Sequence, residues 1–288
     1  MKAISKRMRV LIIIVSIFLL LITLFVTWGI IENNSPILTK YTVKSQRLPE
    51  SFRGYKIAQI SDLHNAEIGT ENQKVLKLLK DADPDIIVLT GDLIDSRKTK
   101  IDVAVNFAKK ANQIAPCYYA SGNHESRLTN FDVFTSKLEA VGVTVLKNQK
   151  LRLEDSGEYI TLIGVEDPAF YNEYPSDSDG DYMRKTLQSL ISDDDVFRVV
   201  LSHRPELINV YAECGLDLVF SGHAHGGQFI LPLIGGLYAP GQGFFPKLTQ
   251  GVIAKDSTKL VISRGVGNSA FPLRINNRPE VVLVELQR

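Results

Sequence analysis

Five short segments of this chain hold side chains that could do chemistry together. They read Ser61-Asp62-Leu63-His64, Thr90-Gly91-Asp92, Ser121-Gly122-Asn123-His124-Glu125, Leu201-Ser202-His203 and Ser221-Gly222-His223-Ala224-His225-Gly226-Gly227, and between them they contain all five histidines. Carboxylate oxygens, an amide oxygen and imidazole nitrogens make a donor set suited to borderline divalent cations such as Mn, Fe or Zn. The candidate donors are Asp62, His64, Asp92, Asn123, His203, His223 and His225. Seven are too many for one tetrahedral ion and suit two ions that share a carboxylate. His124 is left over beside the amide donor, free to move a proton. Taken singly the segments say little: an Asp-x-His is usually a capped strand end, and Gly-Asp is a turn dipeptide. His-x-His is more telling, because alternate residues of an extended chain face one side. Their joint occurrence carries the reading.

The elements between the segments explain how they could meet. Tyr55 to Ser61 reads as a strand, Glu71 to Asp81 as an amphipathic helix with Val75, Leu78 and Leu79 inward, and Ile86 to Thr90 as a fully apolar strand. Helices over Asp102 to Gln113 and Asp132 to Val141 alternate with strands over Cys117 to Ser121 and Val143 to Leu146. This half predicts a parallel-type sheet covered by helices. The second half is richer in strands, at 149–153, 159–165, 197–202, 216–220, 260–263 and 280–285, with helices near 184–191 and 206–213. Two packed sheets follow, with 171–181 a solvated loop. Four of the five segments directly follow an apolar run, and open α/β sheets gather ligands beyond the carboxyl ends of their strands.

Ahead of this lies an appendage. Val10 to Ile31 is an uncharged run of 22 residues, long enough as a helix to cross a hydrocarbon core. No small-residue cleavage site follows it, so it reads as an uncleaved anchor. Lys2, Lys6, Arg7 and Arg9 crowd its N-terminal flank while Glu32 and two asparagines open the other, which predicts a cytoplasmic N-terminus and a catalytic domain outside. The division expected is a flank and anchor over 1–32 and one catalytic domain over 33–288. That domain carries 29 Lys and Arg against 31 Asp and Glu, with no basic run interleaved with aromatics, so nucleic acid is not an expected partner. Cys117 and Cys214 lie far apart without CxxC spacing and read as structural thiols, a disulfide remaining the alternative.

Five ordered blocks, D-x-H, G-D, G-N-H-[DE], a lone His and G-H-x-H, make the chain resemble the calcineurin-like metallophosphoesterase family over residues 55–228. With the anchor and Gly226-Gly227-Gln228, it is similar to a membrane-associated bacterial branch. The resemblance implies a four-layer α-β-β-α sandwich with two central mixed sheets. It implies one metal held by Asp62, His64 and His225, a second by Asn123, His203 and His223, and Asp92 bridging them. The nucleophile would be a hydroxide between the ions, and His124 the general acid at the leaving group. Glu125 stands where many relatives have Asp.

The expected activity is therefore hydrolysis of phosphate esters, with phosphodiesters favoured over monoesters. A metal-bearing scaffold or sensor is the non-enzymatic alternative, and His124, unneeded for metal binding, argues against it. No G-x-S-x-G elbow or G-x-x-x-x-G-K-[ST] loop occurs. Phe229 to Pro246 is apolar yet full of Gly and Pro. It reads as core strands joined by turns; contact with acyl chains, which would put lipid-linked phosphodiesters at the crevice, is the other reading.

Overall fold

The computed structural model describes residues 5–171, 178–268 and 271–288. An N-terminal helix α1 (Lys6–Asn33) leads directly into strand β1 (Ile37–Lys44). Helix α1 carries the uncharged run, and its side chains stand exposed along almost the whole length. Among the described residues it is the helix long and apolar enough to cross a membrane.

The remaining described residues build two six-stranded sheets. Strands β2 (Lys56–Ile60), β3 (Ile86–Thr90), β4 (Cys117–Ala120) and β5 (Thr144–Val145) run parallel, alternating with helices α2 (Gln73–Ala82), α3 (Ile101–Asn112) and α4 (Phe131–Ala140). The second sheet contains β6 (Gln149–Asp155), β7 (Glu158–Gly164), β8 (Arg198–Leu201), β9 (Leu218–Ser221), β10 (Gly251–Lys255) and β11 (Thr258–Ile262), with helices α5 (Ser178–Leu190) and α6 (Ile208–Glu213). The last strand, β12 (Glu280–Gln287), returns to the first sheet and inserts between β1 and β2, parallel to β1 and antiparallel to β2. The parallel-type sheet expected for the first half is thus a mixed one, because its two outermost additions come from opposite ends of the chain.

Burial on both faces explains the uninterrupted apolar strands. In β3, Ile87 and Leu89 pack towards α2, α3 and α4, while Ile86 and Val88 meet Leu162, Val199 and Phe220 of the other sheet. The far face of the second sheet is covered by α5 and α6 through Met183, Leu187, Val210 and Tyr211. Four layers, α-β-β-α, result, as the resemblance implied.

Several boundaries differ from the sequence reading. Helix α2 starts at Gln73 because Glu71 and Asn72 take positive φ (50° and 61°) and turn the chain. Residues 178–181, expected as loop, begin α5; the part of that loop at 172–177 lies outside the described residues. Strand β10 is an addition to the expected set. The segment after the last histidine forms two small hairpins, Ile230–Leu231 with Gly235–Gly236 and Tyr238–Ala239 with Gly243–Phe244, rather than core strands. Cys117 is buried and both cysteines are free thiols; burial alone pushes Cys117 up to about 12.

Candidate metal centre

The five histidine-bearing or acidic segments leave the carboxyl ends of β2, β3, β4, β8 and β9 and converge at one end of the sandwich. There the two sheets are tied by polar groups: the Gln59 amide donates to Thr90 Oγ1 at 2.9 Å and to the Ser221 carbonyl at 2.8 Å. All seven candidate donors and His124 are buried, none with more than 8% of its surface exposed.

The backbone is bent hard to aim them. Asp62, His64, Asp92, His223 and His225 all take positive φ, between 45° and 66°. Side chains with a Cβ enter that region at a cost of about 1–3 kcal/mol each, and such strain collects where a site over-determines the conformation. Close approach adds a second demand. A Cβ on Gly222 would fall 2.2 Å from Asp62 Oδ2, and one on Gly122 would fall 2.4 Å from Asp92 Oδ1. Those glycines are where two chain segments touch.

Two triads of donors form. Asp62, His64 and His225 make the first, with His225 Nε2 3.2 Å from Asp62 Oδ1 and the two imidazole Nε2 atoms 3.1 Å apart. Asp92, His203 and His223 make the second, with His203 Nε2 3.2 Å from Asp92 Oδ2. The same Asp92 oxygen is 3.6 Å from His64 Nε2, so this carboxylate lies between the triads. Asn123 Oδ1, His203 Nε2 and His223 Nε2 are buried and accept or donate no hydrogen bond within the protein. Buried polar atoms are rarely left so. His203 Nδ1 lies 2.8 Å from the Thr90 carbonyl. A donated Nδ1 proton there leaves Nε2 with a lone pair for a cation. The donor set fits two divalent cations.

Electrostatics point the same way. Burial raises the Asp62 and Asp92 carboxyls, but the surrounding imidazoles overcome it and hold both well below the usual range. Burial lowers His203, and the Asp92 and Asp62 carboxylates outweigh it, lifting the ring to about 10; His64 is raised by the same carboxylates. His225 instead falls to about 3 through burial, His64 and Arg274, and His223 falls through burial and Arg204. The two buried carboxylates thus favour the charged form of two of the four rings, a charge compensation that a bound cation would replace with release of protons.

His124 sits edge-on to His64 at 4.5 Å. The Ser96 backbone N–H donates to its Nδ1 at 3.1 Å, which in the neutral ring puts the proton on Nε2; Ser96 Oγ, 3.2 Å from Nδ1, can accept in the charged ring. Asp95 Oδ1 lies 3.6 Å from Nδ1. Burial brings its pKa down to about 4 against the pull of Asp92 and Asp95. His124 also joins His64 and Asp92 as a third possible donor group, beyond the seven that the sequence picks out.

Several supporting residues make contacts that no motif foretells. Glu125 accepts backbone N–H groups from Gly122, Asp92 and Leu93 at 2.8–2.9 Å. Burial and the nearby Asp92 push its carboxyl up to about 7, opposed by those N–H bonds. Arg204, buried, forms a two-pronged pair with Asp167 at 2.6 and 2.7 Å, fixing the turn after His203. Glu206 Oε1 lies 3.9 Å from His223 Nε2. Asn277 donates to the His225 carbonyl at 2.7 Å. Only adjacency to His124 and His203 could have pointed to Glu125, Arg204 and Glu206.

A sandwich of two mixed sheets with this donor cluster at its carboxyl end defines a metal-dependent phosphoesterase. The profile of the calcineurin-like phosphoesterase family matches residues 55–227, and the chain belongs to that family. It is 33% identical over 259 residues to the uncharacterized metallophosphoesterase YkuE of Bacillus subtilis (strain 168), covering 86% of this chain and 85% of that one. It is 28% identical over 247 residues to the phosphodiesterase YaeI of Escherichia coli (strain K12), covering 81% of this chain and 82% of that one. The protein TT1561 of Thermus thermophilus shares the fold, with a TM-score of 0.51 at 13% identity over 74% of this chain and 90% of that one.

Proposed function

We propose that this chain is a dinuclear-metal phosphodiesterase held at a membrane by α1, with residues 1–32 as flank and anchor and 33–288 as the catalytic domain. The observation that carries the reading is the placement of the Asp92 carboxylate between two donor triads, with orphaned donor atoms on Asn123, His203 and His223 beside it. Asp62, His64 and His225 would hold one cation, Asn123, His203 and His223 the other, and Asp92 both. Mn, Fe and Zn all suit these donors. When bound, the cations would neutralise phosphoryl oxygens and bring the pKa of an attacking water from about 15.7 towards 7.

The protein's own part is orientation and proton supply. Left-handed backbone at five donors and the N–H bonds to Glu125 fix the loops before substrate arrives. His124 acts as the acid in its imidazolium form, with Nδ1–H turned to Ser96 Oγ or Asp95 Oδ1, 3.2 and 3.6 Å away; its Nε2 proton then goes to the departing oxygen and the ring is left neutral. Asp95 stands behind the ring to stabilise positive charge on it. The preference for diesters is supported by the likeness to the phosphodiesterase YaeI of Escherichia coli. The basic flank before the uncharged run of α1 supports a cytoplasmic N-terminus with the catalytic domain across the membrane, and exposed apolar hairpins beside the crevice support lipid-linked or membrane-proximal substrates.

The test is purification of the full chain in detergent, metal analysis, and turnover of matched mono- and diesters, phospholipids included, with and without chelator. Two equivalents of metal and chelator-sensitive diester turnover are expected. Metal binding without turnover of any ester would leave a scaffold or sensor instead.

A further inference from the structure

The two hairpins after His225 present a row of apolar side chains that the core does not use. Leu233 is fully exposed at the tip of the first hairpin, Phe244 is 72% exposed on the return strand of the second opposite Tyr238, and Ile234, Tyr238, Phe245 and Phe271 are exposed beside them. From Phe229 to Pro246 there is no charged residue, and Lys247 follows. Each hairpin pairs two residues with two, and the Ile234 and Gln242 N–H groups bond the Leu231 and Ala239 carbonyls in the turns, which lowers the cost of placing this backbone in an apolar medium.

A continuous chain of contacts joins this surface to α1. Gly29 packs against Leu273 so closely that a Cβ there would lie 2.7 Å from Leu273 Cδ1. Gln228 donates to the carbonyls of Phe271 and Leu273 at 3.0 and 2.8 Å. Phe229 meets Phe271 with ring centroids 5.3 Å apart. The Leu237 N–H then donates to the Phe229 carbonyl at 2.8 Å, and the Phe245 N–H to the Leu237 carbonyl at 2.9 Å. Gly29 is two residues inside the end of the uncharged run, about 3 Å along the axis at helical rise. Leu273 therefore lies level with the apolar part of α1, not beyond it.

A cavity of about 230 Å³ opens at the same junction, lined by Ile30 and Asn33 of α1, Ala66, Ile68, Gly267 and Leu273. Its wall touches the metal centre, since the Gly267 N–H donates to the Asp62 carbonyl at 2.7 Å. End of anchor, apolar surface and donor cluster thus adjoin.

We propose that the hairpins 230–236 and 238–244, with Phe271, form a second membrane-contacting surface that dips into the leaflet α1 emerges from. Its partner is the phospholipid bilayer. Aromatic and aliphatic side chains followed by a lysine suit the boundary between acyl chains and headgroups, and a contact at the depth of Gly29 leaves the hairpins little distance to reach it. The proposal rests on the membrane-spanning reading of α1 and holds the crevice at headgroup level, where phosphodiesters of lipids lie.

The test places a fluorescent reporter on the exposed apolar surface of each hairpin. Trp28 is the chain's single tryptophan, so the full-length double variants W28F/F244W and W28F/L233W carry one reporter each, and the unaltered chain reports on α1. All three are reconstituted in phosphatidylcholine vesicles with or without acyl-brominated lipid. Both hairpin reporters should shift to the blue and lose most of their emission to the bromines, as Trp28 does. Quenched Trp28 with unquenched, water-exposed hairpin reporters would overturn the docking surface and leave the anchor. A blue-shifted but unquenched hairpin reporter whose shift fades as protein is diluted in lipid would mean a second copy covers the surface, which also overturns it. Unquenched Trp28 would remove the anchor and the proposal together. Turnover of a soluble aryl phosphodiester on the same vesicles reads the catalytic proposal separately and reports that each variant is folded.

Discussion

The Glu125 carboxylate accepts the backbone N–H of Asp92 at 2.9 Å, so the residue after His124 holds the loop that carries the central carboxylate. It binds the Gly122 N–H as well, and thereby locks the turns after β3 and β4 together. Glu125→Gln substitutes an NH2 for one acceptor oxygen and sets donor against donor. Metal affinity should fall about 10- to 100-fold, the usual effect of losing an outer support of a metal site. Glu125→Ala, which strands several buried N–H groups at about 1–3 kcal/mol each before relaxation, should also lower the melting temperature clearly. Metal titration and thermal melts measure both, and wild-type affinity in Glu125→Gln would count against the clamp.

Gly222 allows the loops after β2 and β9 to touch. A methyl there would lie 1.9 Å from Ser61 Oγ and 2.2 Å from Asp62 Oδ2, and neither partner is free, since Ser61 bonds the Thr90 carbonyl. Overpacking alone costs about 1–3 kcal/mol, and here it also displaces a metal-facing carboxylate. Gly222→Ala should therefore lose metal from the Asp62 site before it loses its fold. A variant with full metal content and unaltered melting would show that the loops have room.

Much of this was readable from the chain. Apolar runs ending in polar segments located β2, β3, β8 and β9, because strands buried on both faces exclude polar residues until they leave the sheet. The candidate donors could be picked out because cations dictate residue type, and the structure gathers these side chains at one end of the sandwich. What stayed hidden depends on distance in space. The insertion of β12 between β1 and β2 joins segments more than 200 residues apart, and nothing local in Glu280 to Gln287 names its neighbours. The hairpins after His225 defeated the pattern because apolar residues among Gly and Pro look alike whether they face core or surroundings. Glu125 looked like a variant of a motif letter, while its actual partners are backbone groups that no side-chain pattern records.

Asp92 should be the least replaceable donor. It lies 3.2 Å from His203 Nε2 and 3.6 Å from His64 Nε2, and its other oxygen accepts the His124 N–H at 2.8 Å. Asp92→Asn keeps the shape but removes the charge that two cations would share. Bound metal should drop from two equivalents to one or fewer. Turnover should fall by more than the roughly 10²- to 10⁴-fold typical of losing an acid–base residue. Metal analysis after gel filtration and diester assays at saturating Mn check it. A metal-replete Asp92→Asn protein with wild-type turnover would refute the shared role.

His124 should behave differently, because it offers a proton rather than a charge anchor. In the neutral ring Nδ1 accepts the Ser96 N–H; the acid is the imidazolium, whose Nδ1–H has Ser96 Oγ and Asp95 Oδ1 within reach and whose Nε2 carries the proton to be given up. His124→Ala removes that proton while leaving Asp62, His64, His225, Asn123, His203 and His223 in place. Metal content should stay at the wild-type level. A diester that departs as a nitrophenolate needs little protonation and should slow only modestly. One that departs as an alkoxide should slow by about 10²- to 10⁴-fold, which is roughly 3–5 kcal/mol of barrier. The comparison is a plot of log kcat/KM against leaving-group pKa for both proteins, in which the variant's line should be the steeper. Parallel lines would mean that His124 acts on the phosphoryl group or the nucleophile and not on the departing oxygen.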